Sequence, residues 1–410
     1  MRHAREENRE RSGEILAESI VYAGVGSPYS LGVGRDVAVV LSGGAVNGVL
    51  LELGFLKRLR DSDLWPRIGW IYGTSAGALT GTMAALDRLD ELEEFMLELQ
   101  PDETFRPHSF WRLPLLGSHD YRLPETVAAR LDGVEDLARA LAHTPVEVVI
   151  CATDVTDDEH ERSDPRAYEL CFSSRETAPE VFAQAVFASA AISGLVLPRR
   201  VGDRIATDGA WVRNFPLGHA YDRPGVELIV SFRYLPRYPR SSAEALGRLR
   251  LRLERFPKIP PIRALIAELR EAEERDARGE PAHWGDMIVR LMRVAVQQNT
   301  VLEERAAREK DEALAELAAL REDVARIIRR EGGRRGERVA RVVEDRFAAA
   351  RFPFLGDRLI PRISVRGSAG EVSLETGLRT AKPWTVEAKR ELIARGYRLL
   401  DAELRERAVA

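Results

Sequence analysis

A serine at the centre of a short glycine-flanked segment could carry nucleophilic chemistry. The segment Gly73-Thr74-Ser75-Ala76-Gly77 separates an apolar run, residues 68–72, from a helical run of small residues, 78–86. Glycines two positions before and after a serine allow a sharp strand-to-helix turn, which exposes the hydroxyl for attack on a carbonyl. The dipole of the following helix would favour the negative charge that such an attack creates. Taken alone, the segment also fits an ordinary turn between a strand and a helix.

A glycine-rich loop lies upstream, between a strand predicted over residues 36–41 and a helix predicted over 49–59. Its sequence is Ser42-Gly43-Gly44-Ala45-Val46-Asn47-Gly48. A phosphate-binding P-loop would end in Gly-Lys-Ser or Gly-Lys-Thr, whereas the corresponding residues here are Gly48-Val49-Leu50. The sequence therefore excludes the P-loop interpretation.

Two other interpretations of this loop differ in what they require of the next strand. A dinucleotide-binding loop would need an acidic residue about 20 positions on, at the end of that strand. The next strand runs instead into Ser75, which disfavours dinucleotide binding. An oxyanion hole needs only backbone N–H groups close to the nucleophile, and adjacent parallel strands would bring the two loops together. This interpretation assigns the oxyanion hole to Gly43, Gly44 and Ala45.

An aspartate followed by a glycine, Asp208-Gly209, comes after a short strand-like run at residues 204–207. Such an aspartate can project into a cleft, although Asp-Gly is also a common turn pair. The preceding stretch, residues 187–198, is small, apolar and almost uncharged, so it could line a site for acyl chains. A carboxylate with an ordinary pKa is a weak base toward a hydroxyl. Asp208 would therefore have to be partly desolvated and within about 2.6–3.2 Å of Ser75.

A Ser–His–Asp arrangement stays open as an alternative mechanism. In α/β-hydrolases the order along the chain is serine, acid, histidine, and after Asp208 the sequence contains His219 and His283. Both also fit surface or packing positions. The remaining histidines show no spacing typical of metal ligands, so the sequence predicts neither a metal site nor a cofactor. These are His3, His108, His119, His143 and His160.

Taken in order along the chain, these motifs resemble those of the patatin-like phospholipases. Residues 43–48 are similar to the family's oxyanion loop, 73–77 to its nucleophile elbow, and 208–210 to its catalytic aspartate motif. Further similarity lies at residues 151–155 and 188–198.

The resemblance covers about residues 35–235 and implies both a fold and an activity. The implied fold is α/β, with a three-layer α/β/α core and a mostly parallel sheet. The implied activity is that of a lipid acyl hydrolase, in which Ser75 and Asp208 form a dyad without histidine. Four glycines then support the motifs, namely Gly48, Gly73, Gly77 and Gly209.

The glycine-rich loop departs from the family pattern at two positions. The family usually has a third glycine and a basic residue there, whereas this chain has Ala45 and Asn47. An alanine costs on the order of 1 kcal/mol if its position requires a positive φ. Asn47 removes a positive charge that could fix the loop or assist charge stabilisation. These departures support a second hypothesis, a catalytically weak or inactive patatin-like protein that binds lipid or regulates.

Shifts in composition predict four parts of the chain. The first is a charged N-terminal arm at 1–34, and the second is the catalytic core at 35–235. Residues 236–352 are rich in Arg, Glu, Ala and Leu at helical spacing, which predicts a charged helical insertion, with a homo-oligomer through it as one interpretation. A strand and a helix at 353–410 are predicted to rejoin the sheet.

The resemblance to the patatin-like phospholipases implies a lipid or acyl-ester substrate as the partner. The net charge of −4 gives no reason to expect nucleic acid as a partner. Residues 237–263 contain eight basic and two acidic residues, interleaved with leucines, which would suit peripheral contact with anionic lipids. The same stretch also fits a solvated basic face paired with nearby glutamates.

The distribution of apolar residues and cysteines predicts a cytoplasmic protein, peripheral to the inner membrane surface if the basic stretch contacts lipid. The sequence contains neither a signal peptide nor an apolar stretch of about 18 residues. Its two cysteines, Cys151 and Cys171, do not suggest a disulfide framework.

Overall fold

The computed structural model describes most of the chain, in ten segments. These are residues 34–108, 119–131, 134–156, 167–193, 195–236, 243–256, 260–281, 284–349, 359–374 and 384–409. Outside them lie His283, part of the basic stretch at 237–263, and all but the last residue of the predicted N-terminal arm.

Ten strands form two sheets within the described residues. The strands are β1 Val37–Leu41, β2 Ile68–Thr74, β3 Phe105–Pro107, β4 His119–Tyr121, β5 Glu147–Asp154, β6 Glu169–Ser173, β7 Arg199–Val201, β8 Arg204–Asp208, β9 Leu228–Tyr234 and β10 Arg362–Gly367. The main sheet has the order β10-β9-β1-β2-β5-β8-β7, and β6 pairs with β5 in addition. Strands β3 and β4 form a separate antiparallel pair.

Fourteen α-helices accompany these strands in the described residues. They are α1 Ala45–Arg60, α2 Ala76–Ala85, α3 Leu89–Glu98, α4 Pro101–Thr104, α5 Leu123–Arg130, α6 Val134–Leu141, α7 Pro179–Ser189, α8 Ala210–Arg213, α9 Leu217–Asp222, α10 Ala243–Leu253, α11 Pro260–Ala277, α12 Trp284–Glu331, α13 Gly336–Ala348 and α14 Val386–Val409. None of the described helices combines the length and the apolar character needed to cross a membrane.

The main sheet is parallel from β10 through β5 and antiparallel at its other edge. Strands β9 and β10, β1 and β9, β1 and β2, and β2 and β5 pair in parallel, whereas β6, β7 and β8 join by antiparallel pairing. Parallel neighbours need crossover helices, which cover the faces of the sheet. The sheet is therefore mixed but mostly parallel, as the resemblance to the patatin-like phospholipases implies.

Side chains of the central strand β1 alternate between two apolar layers. Val37, Val39 and Leu41 pack in a core with residues of α1, α2 and α14. Ala38 and Val40 face the opposite core, which includes residues of α9 and Ala307 of α12. This alternation follows from the two-residue period of a strand, and it confirms the predicted α/β fold with helices on both faces.

The last described strand and helix, β10 and α14, pack on this core. β10 lies in parallel beside β9, and α14 crosses α1 at two glycines. A Cβ on Gly54 of α1 would lie 1.8 Å from the Ile393 carbonyl oxygen, and one on Gly396 would lie 1.9 Å from that of Leu51. The two helices thus approach closely because neither glycine has a side chain. The chain divisions at residues 35, 236 and 353 stay predictions.

Candidate active site

Ser75 lies at a strained turn between β2 and α2. Its φ of 54° and ψ of −111° fall in a region that residues with a Cβ rarely adopt. A Cβ on Gly73 would lie 2.2 Å from the Gly77 carbonyl oxygen, and one on Gly77 would lie 2.6 Å from that of Leu41. Both positions therefore need glycine. The turn is held in place by the Ser189 hydroxyl, which accepts a hydrogen bond from the Ser75 N–H at 2.9 Å.

The strand register brings Asp208 to this turn. Strands β2 and β8 both pair with the edge of β5 that β6 leaves unpaired, and they approach it from opposite directions. Thr74 at the end of β2 pairs with Cys151, and Asp208 at the end of β8 pairs with Ala152. Successive residues of β5 thus hold the two strand ends side by side. The Ser75 hydroxyl donates a hydrogen bond to Asp208 Oδ2 at 2.8 Å.

The Asp208 carboxylate is buried and fixed through both of its oxygens. Oδ1 accepts a hydrogen bond from the Ala210 N–H at 2.8 Å, while Oδ2 accepts the one from Ser75. Burial raises the pKa of Asp208 to about 6, against the opposing effect of these two hydrogen bonds. The group is therefore a stronger base than an ordinary aspartate, yet it is mostly ionised at neutral pH.

The glycine-rich loop lies beside Ser75, and the backbone N–H groups of the loop differ in their hydrogen-bond partners. A Cβ on Gly43 would lie 3.3 Å from the Ser75 Cβ. The Gly43 N–H donates to the Asn214 carbonyl oxygen at 3.0 Å, whereas those of Gly44 and Ala45 donate to no other described residue. Ala45 has a φ of 45°, so this position does have the positive φ that favours glycine.

Asn47 anchors the first turn of α1 to two distant parts of the chain. Its amide nitrogen donates to the Tyr234 hydroxyl at 3.2 Å and to the Ser373 hydroxyl at 2.9 Å. Its oxygen accepts a hydrogen bond from the Leu374 N–H at 3.0 Å. The buried neutral amide thus fixes the loop, which is one of the roles considered for a basic residue at this position.

The segment that contains Ser75, Asp208 and the glycine-rich loop is similar to a known protein family. Residues 39–221 match the family described as patatin-like phospholipase. The chain contains a patatin-like phospholipase domain. The matched residues include both Ser75 and Asp208. Membership places this domain among the lipid acyl hydrolases, a group of ester hydrolases that act on lipids.

One solved structure similar to the chain is the crystal structure of VipD from Legionella pneumophila. It aligns with 92% of this chain and 67% of that chain, at 12% sequence identity and a TM-score of 0.38. No curated protein matches the sequence.

The long helix α12 contacts the patatin-like domain next to the dyad. Asn299 donates to the carbonyl oxygens of Ala210 at 2.6 Å and Trp211 at 3.1 Å, and it accepts a hydrogen bond from the Asn214 N–H at 3.3 Å. Thr300 accepts one from the Asn214 side chain at 2.9 Å. The turn after Asp208 is therefore held from outside the matched residues, by contacts that no local sequence pattern predicts.

Replacing Asn299 by alanine is expected to destabilise the protein and to loosen this turn. The change leaves two carbonyl oxygens and one N–H without their partner, so we expect the free energy of unfolding to fall by about 1–3 kcal/mol. Urea unfolding at constant pH measures the loss. Gln298→Ala is the matched control, because Gln298 is the exposed neighbour on the same helix. Equal stability of the two variants would contradict the assigned role.

The histidine alternative finds no support among the described residues. The Ser75 hydroxyl donates to a carboxylate, and His219 Nε2 lies instead 2.7 Å from Glu169 Oε1 and 3.4 Å from Cys171 Sγ. His283 lies outside the residues that the structure describes.

Proposed function

We propose that this protein hydrolyses acyl esters of lipids through a Ser75–Asp208 dyad. The observation that carries the proposal is the 2.8 Å hydrogen bond from the Ser75 hydroxyl to a buried carboxylate, made at a strained turn that opens a helix. The patatin-like family supplies the substrate class, a lipid. Phospholipase A, lysophospholipase and esterase activities all fit this chemistry.

In the first half of the proposed reaction, Asp208 Oδ2 takes the hydroxyl proton as Ser75 Oγ attacks the acyl carbonyl carbon. The carbonyl oxygen gains negative charge in the tetrahedral intermediate. Collapse of this intermediate breaks the bond to the alcohol oxygen, which leaves with the proton from Asp208. The acyl group is then an ester of Ser75.

In the second half, Asp208 takes a proton from water as the water oxygen attacks the acyl-enzyme carbonyl carbon. The new tetrahedral intermediate collapses and expels Ser75 Oγ, which recovers the proton from Asp208. The products are a free carboxylic acid and the alcohol portion of the lipid.

Within the proposed oxyanion hole, we assign different roles to the three loop residues. The N–H groups of Gly44 and Ala45 are the proposed donors to the developing oxyanion, since neither bonds to a described residue. The Gly43 N–H holds the loop against Asn214, and its missing side chain leaves room beside Ser75. Each oxyanion donor in such a site contributes about 10²–10³-fold to the rate.

The proposed mechanism predicts that activity falls as the pH drops through about 6. Burial raises the pKa of Asp208 to about 6, and only the ionised carboxylate can accept the Ser75 proton. We therefore expect kcat/KM to be half-maximal near pH 6 and to decrease about tenfold for each further pH unit downward. The profile should be recorded with a neutral p-nitrophenyl ester. A profile that is flat down to about pH 4 would contradict the assignment of Asp208 as the base.

A substrate panel tests the proposed function and narrows the substrate. The panel comprises a phospholipid, a lysophospholipid, a triacylglycerol, an acyl thioester and p-nitrophenyl esters of several chain lengths. We expect turnover of at least one member, with release of the free carboxylic acid. Binding to fatty acid or liposomes without turnover of any member would favour the lipid-binding or regulatory hypothesis.

Contact with an anionic membrane surface through residues 237–263 stays a proposal. Leu251 and Phe256 are exposed within this stretch, with 59% and 56% of their surfaces accessible. Arg250, however, pairs with Glu254 and Glu273, which lowers the unpaired positive charge of this stretch.

Self-association through the helical insertion and a cytoplasmic location likewise stay predictions.

A further inference from the structure

Four side chains of types that bind metal ions meet next to β5, the strand that pairs with both β2 and β8. Cys151 lies on β5, Glu169 and Cys171 lie on β6, and His219 lies on α9. One donor atom from each lies within 4.8 Å of all the others. Together these residues are called the Cys2HisGlu cluster. Two thiols, an imidazole and a carboxylate are all groups that bind Zn²⁺ in proteins.

We propose that the Cys2HisGlu cluster binds one Zn²⁺ ion in tetrahedral coordination. Zinc bond lengths of about 2.3 Å to sulfur and 2.0–2.1 Å to nitrogen imply separations of about 3.8 Å between two sulfurs and 3.6 Å between sulfur and nitrogen. The two sulfur atoms lie 3.8 Å apart, and Cys171 Sγ lies 3.4 Å from His219 Nε2. Cys171 Sγ also lies 3.7 Å from Glu169 Oε1.

One separation is shorter than tetrahedral coordination requires. His219 Nε2 lies 2.7 Å from Glu169 Oε1, a hydrogen-bond distance. A Zn²⁺ ion would replace the shared proton and widen this contact by about 0.7 Å, to the roughly 3.4 Å that tetrahedral coordination implies.

The fold fixes three of the four ligands in position. Cys151 and Cys171 are direct partners in the antiparallel register of β5 and β6, so both side chains point to the same face of the sheet. The His219 ring stacks on Tyr72, with ring centroids 6.3 Å apart and planes 12° from parallel. Cys151 is buried, whereas Cys171 is exposed, which gives an ion a path from solvent.

Charges around the Cys2HisGlu cluster suit a divalent ion with two thiolates. When Zn²⁺ binds, each thiol releases its proton to solvent, and the two thiolates neutralise the ion. Arg213 neutralises Glu169 through contacts of 2.6 Å to Oε1 and 2.9 Å to Oε2. A carboxylate has about four acceptor sites, so Glu169 can keep Arg213 on Oε2 while Oε1 faces the ion.

A bound ion would stabilise the loop that presents Asp208. Four protein ligands leave no position for substrate, which is typical of structural rather than catalytic zinc. Glu169 holds Arg213, the last residue of the helix that follows Asp208-Gly209. The Thr74 hydroxyl, one residue before the nucleophile, donates to the Arg213 carbonyl oxygen at 2.7 Å. The ion would thus tie β5, β6 and α9 together around both halves of the dyad.

Metal content of the full chain tests this proposal independently of any hydrolytic activity. The reduced protein is equilibrated with Zn²⁺ without oxygen, desalted, and examined by native mass spectrometry. Co²⁺ loading gives a second readout, since tetrahedral thiolate coordination has characteristic visible absorption. We expect one Zn²⁺ per chain in the wild type, and an affinity lower by more than about 100-fold in Cys171→Ser and His219→Gln.

His143→Gln is the matched control, because His143 is exposed and lies outside the Cys2HisGlu cluster. This variant should bind Zn²⁺ as the wild type does. The proposal is overturned if the reduced wild type binds no Zn²⁺, or if Cys171→Ser and His219→Gln bind it as tightly as the wild type. It is also overturned if reduced protein binds no metal while oxidation joins Cys151 to Cys171. Those results would leave the dyad proposal intact, because zinc content is measured without substrate.

Discussion

Replacing Ser75 by alanine is expected to lower kcat/KM for acyl-ester hydrolysis by at least about 10⁴-fold. The variant lacks the hydroxyl that attacks the carbonyl carbon, so the only remaining route is direct attack by water. The fold should survive, because alanine removes a single oxygen atom and the Ser75 N–H keeps its bond to Ser189. Loss of activity without loss of structure would identify the nucleophile.

Covalent labelling with a fluorophosphonate tests directly whether Ser75 is the nucleophile. Wild-type protein should be labelled covalently and Ser75→Ala should not. Ser364→Ala is the matched control, because Ser364 is an exposed serine on the edge strand β10. Equal labelling of wild type and Ser75→Ala, or no labelling of the wild type, would refute the assignment.

Replacing Asp208 by asparagine is expected to lower kcat by about 10²–10⁴-fold, the usual contribution of a general base. Asparagine has nearly the same shape and can still bond to both neighbours. Its oxygen can accept from the Ala210 N–H, and its nitrogen can donate to Ser75 Oγ. The Ser75 hydroxyl then lacks an acceptor for its proton, and the rate falls for that reason alone.

The same variant should be more stable than the wild type above pH 6. The folded-state pKa of Asp208, about 6, lies above the ordinary aspartate pKa of 3.8, so the unfolded state ionises this group more readily. Ionised Asp208 therefore destabilises the fold at high pH, and the penalty disappears below about pH 4. We expect Asp208→Asn to raise the free energy of unfolding by on the order of 1–3 kcal/mol at pH 8.

Two measurements separate the loss of activity from the gain in stability of Asp208→Asn. They are turnover of a p-nitrophenyl ester and urea unfolding at pH 8 and pH 4. Asp203→Asn is the matched control, since Asp203 is exposed in the turn that precedes β8. That variant should change neither quantity. Near-normal turnover by Asp208→Asn would point to a different base. An unchanged free energy of unfolding would show instead that burial does not raise the pKa of Asp208.

Much of the geometry of the candidate site could be predicted, because it depends on local backbone conformation. The turn at Ser75 requires glycines at fixed offsets, and residues 73 and 77 supply them. The runs at 36–41 and 68–72 become β1 and β2, because short apolar segments bounded by glycine favour buried parallel strands. Parallel strands end at the same edge of a sheet, which is why two loops far apart in sequence were expected to meet.

The three-layer fold was implied by the resemblance to the patatin-like phospholipases, and elementary packing agrees with it. Strands that alternate with helices can bury both faces of the sheet only if helices cover each face. The charged helices after β9 were also visible from their spacing. Their contact with the active site was not visible, because the composition of Asn299 and its neighbours resembles that of any solvated helix.

The sequence by itself determined the nucleophile candidate and the glycine-rich loop, since each rests on residue types at short spacing. The role of Asp208 and the α/β class came from the resemblance to the patatin-like phospholipases. Only the tertiary structure decided that Asn47 is anchored by Ser373, that Asn299 holds the turn after Asp208, and that the Cys2HisGlu cluster forms. Apart from Glu169 and Cys171, which are two residues apart, these partners lie between 18 and 326 residues apart along the chain. No local pattern specifies such pairs, because the distance between them is fixed by how strands register and helices pack.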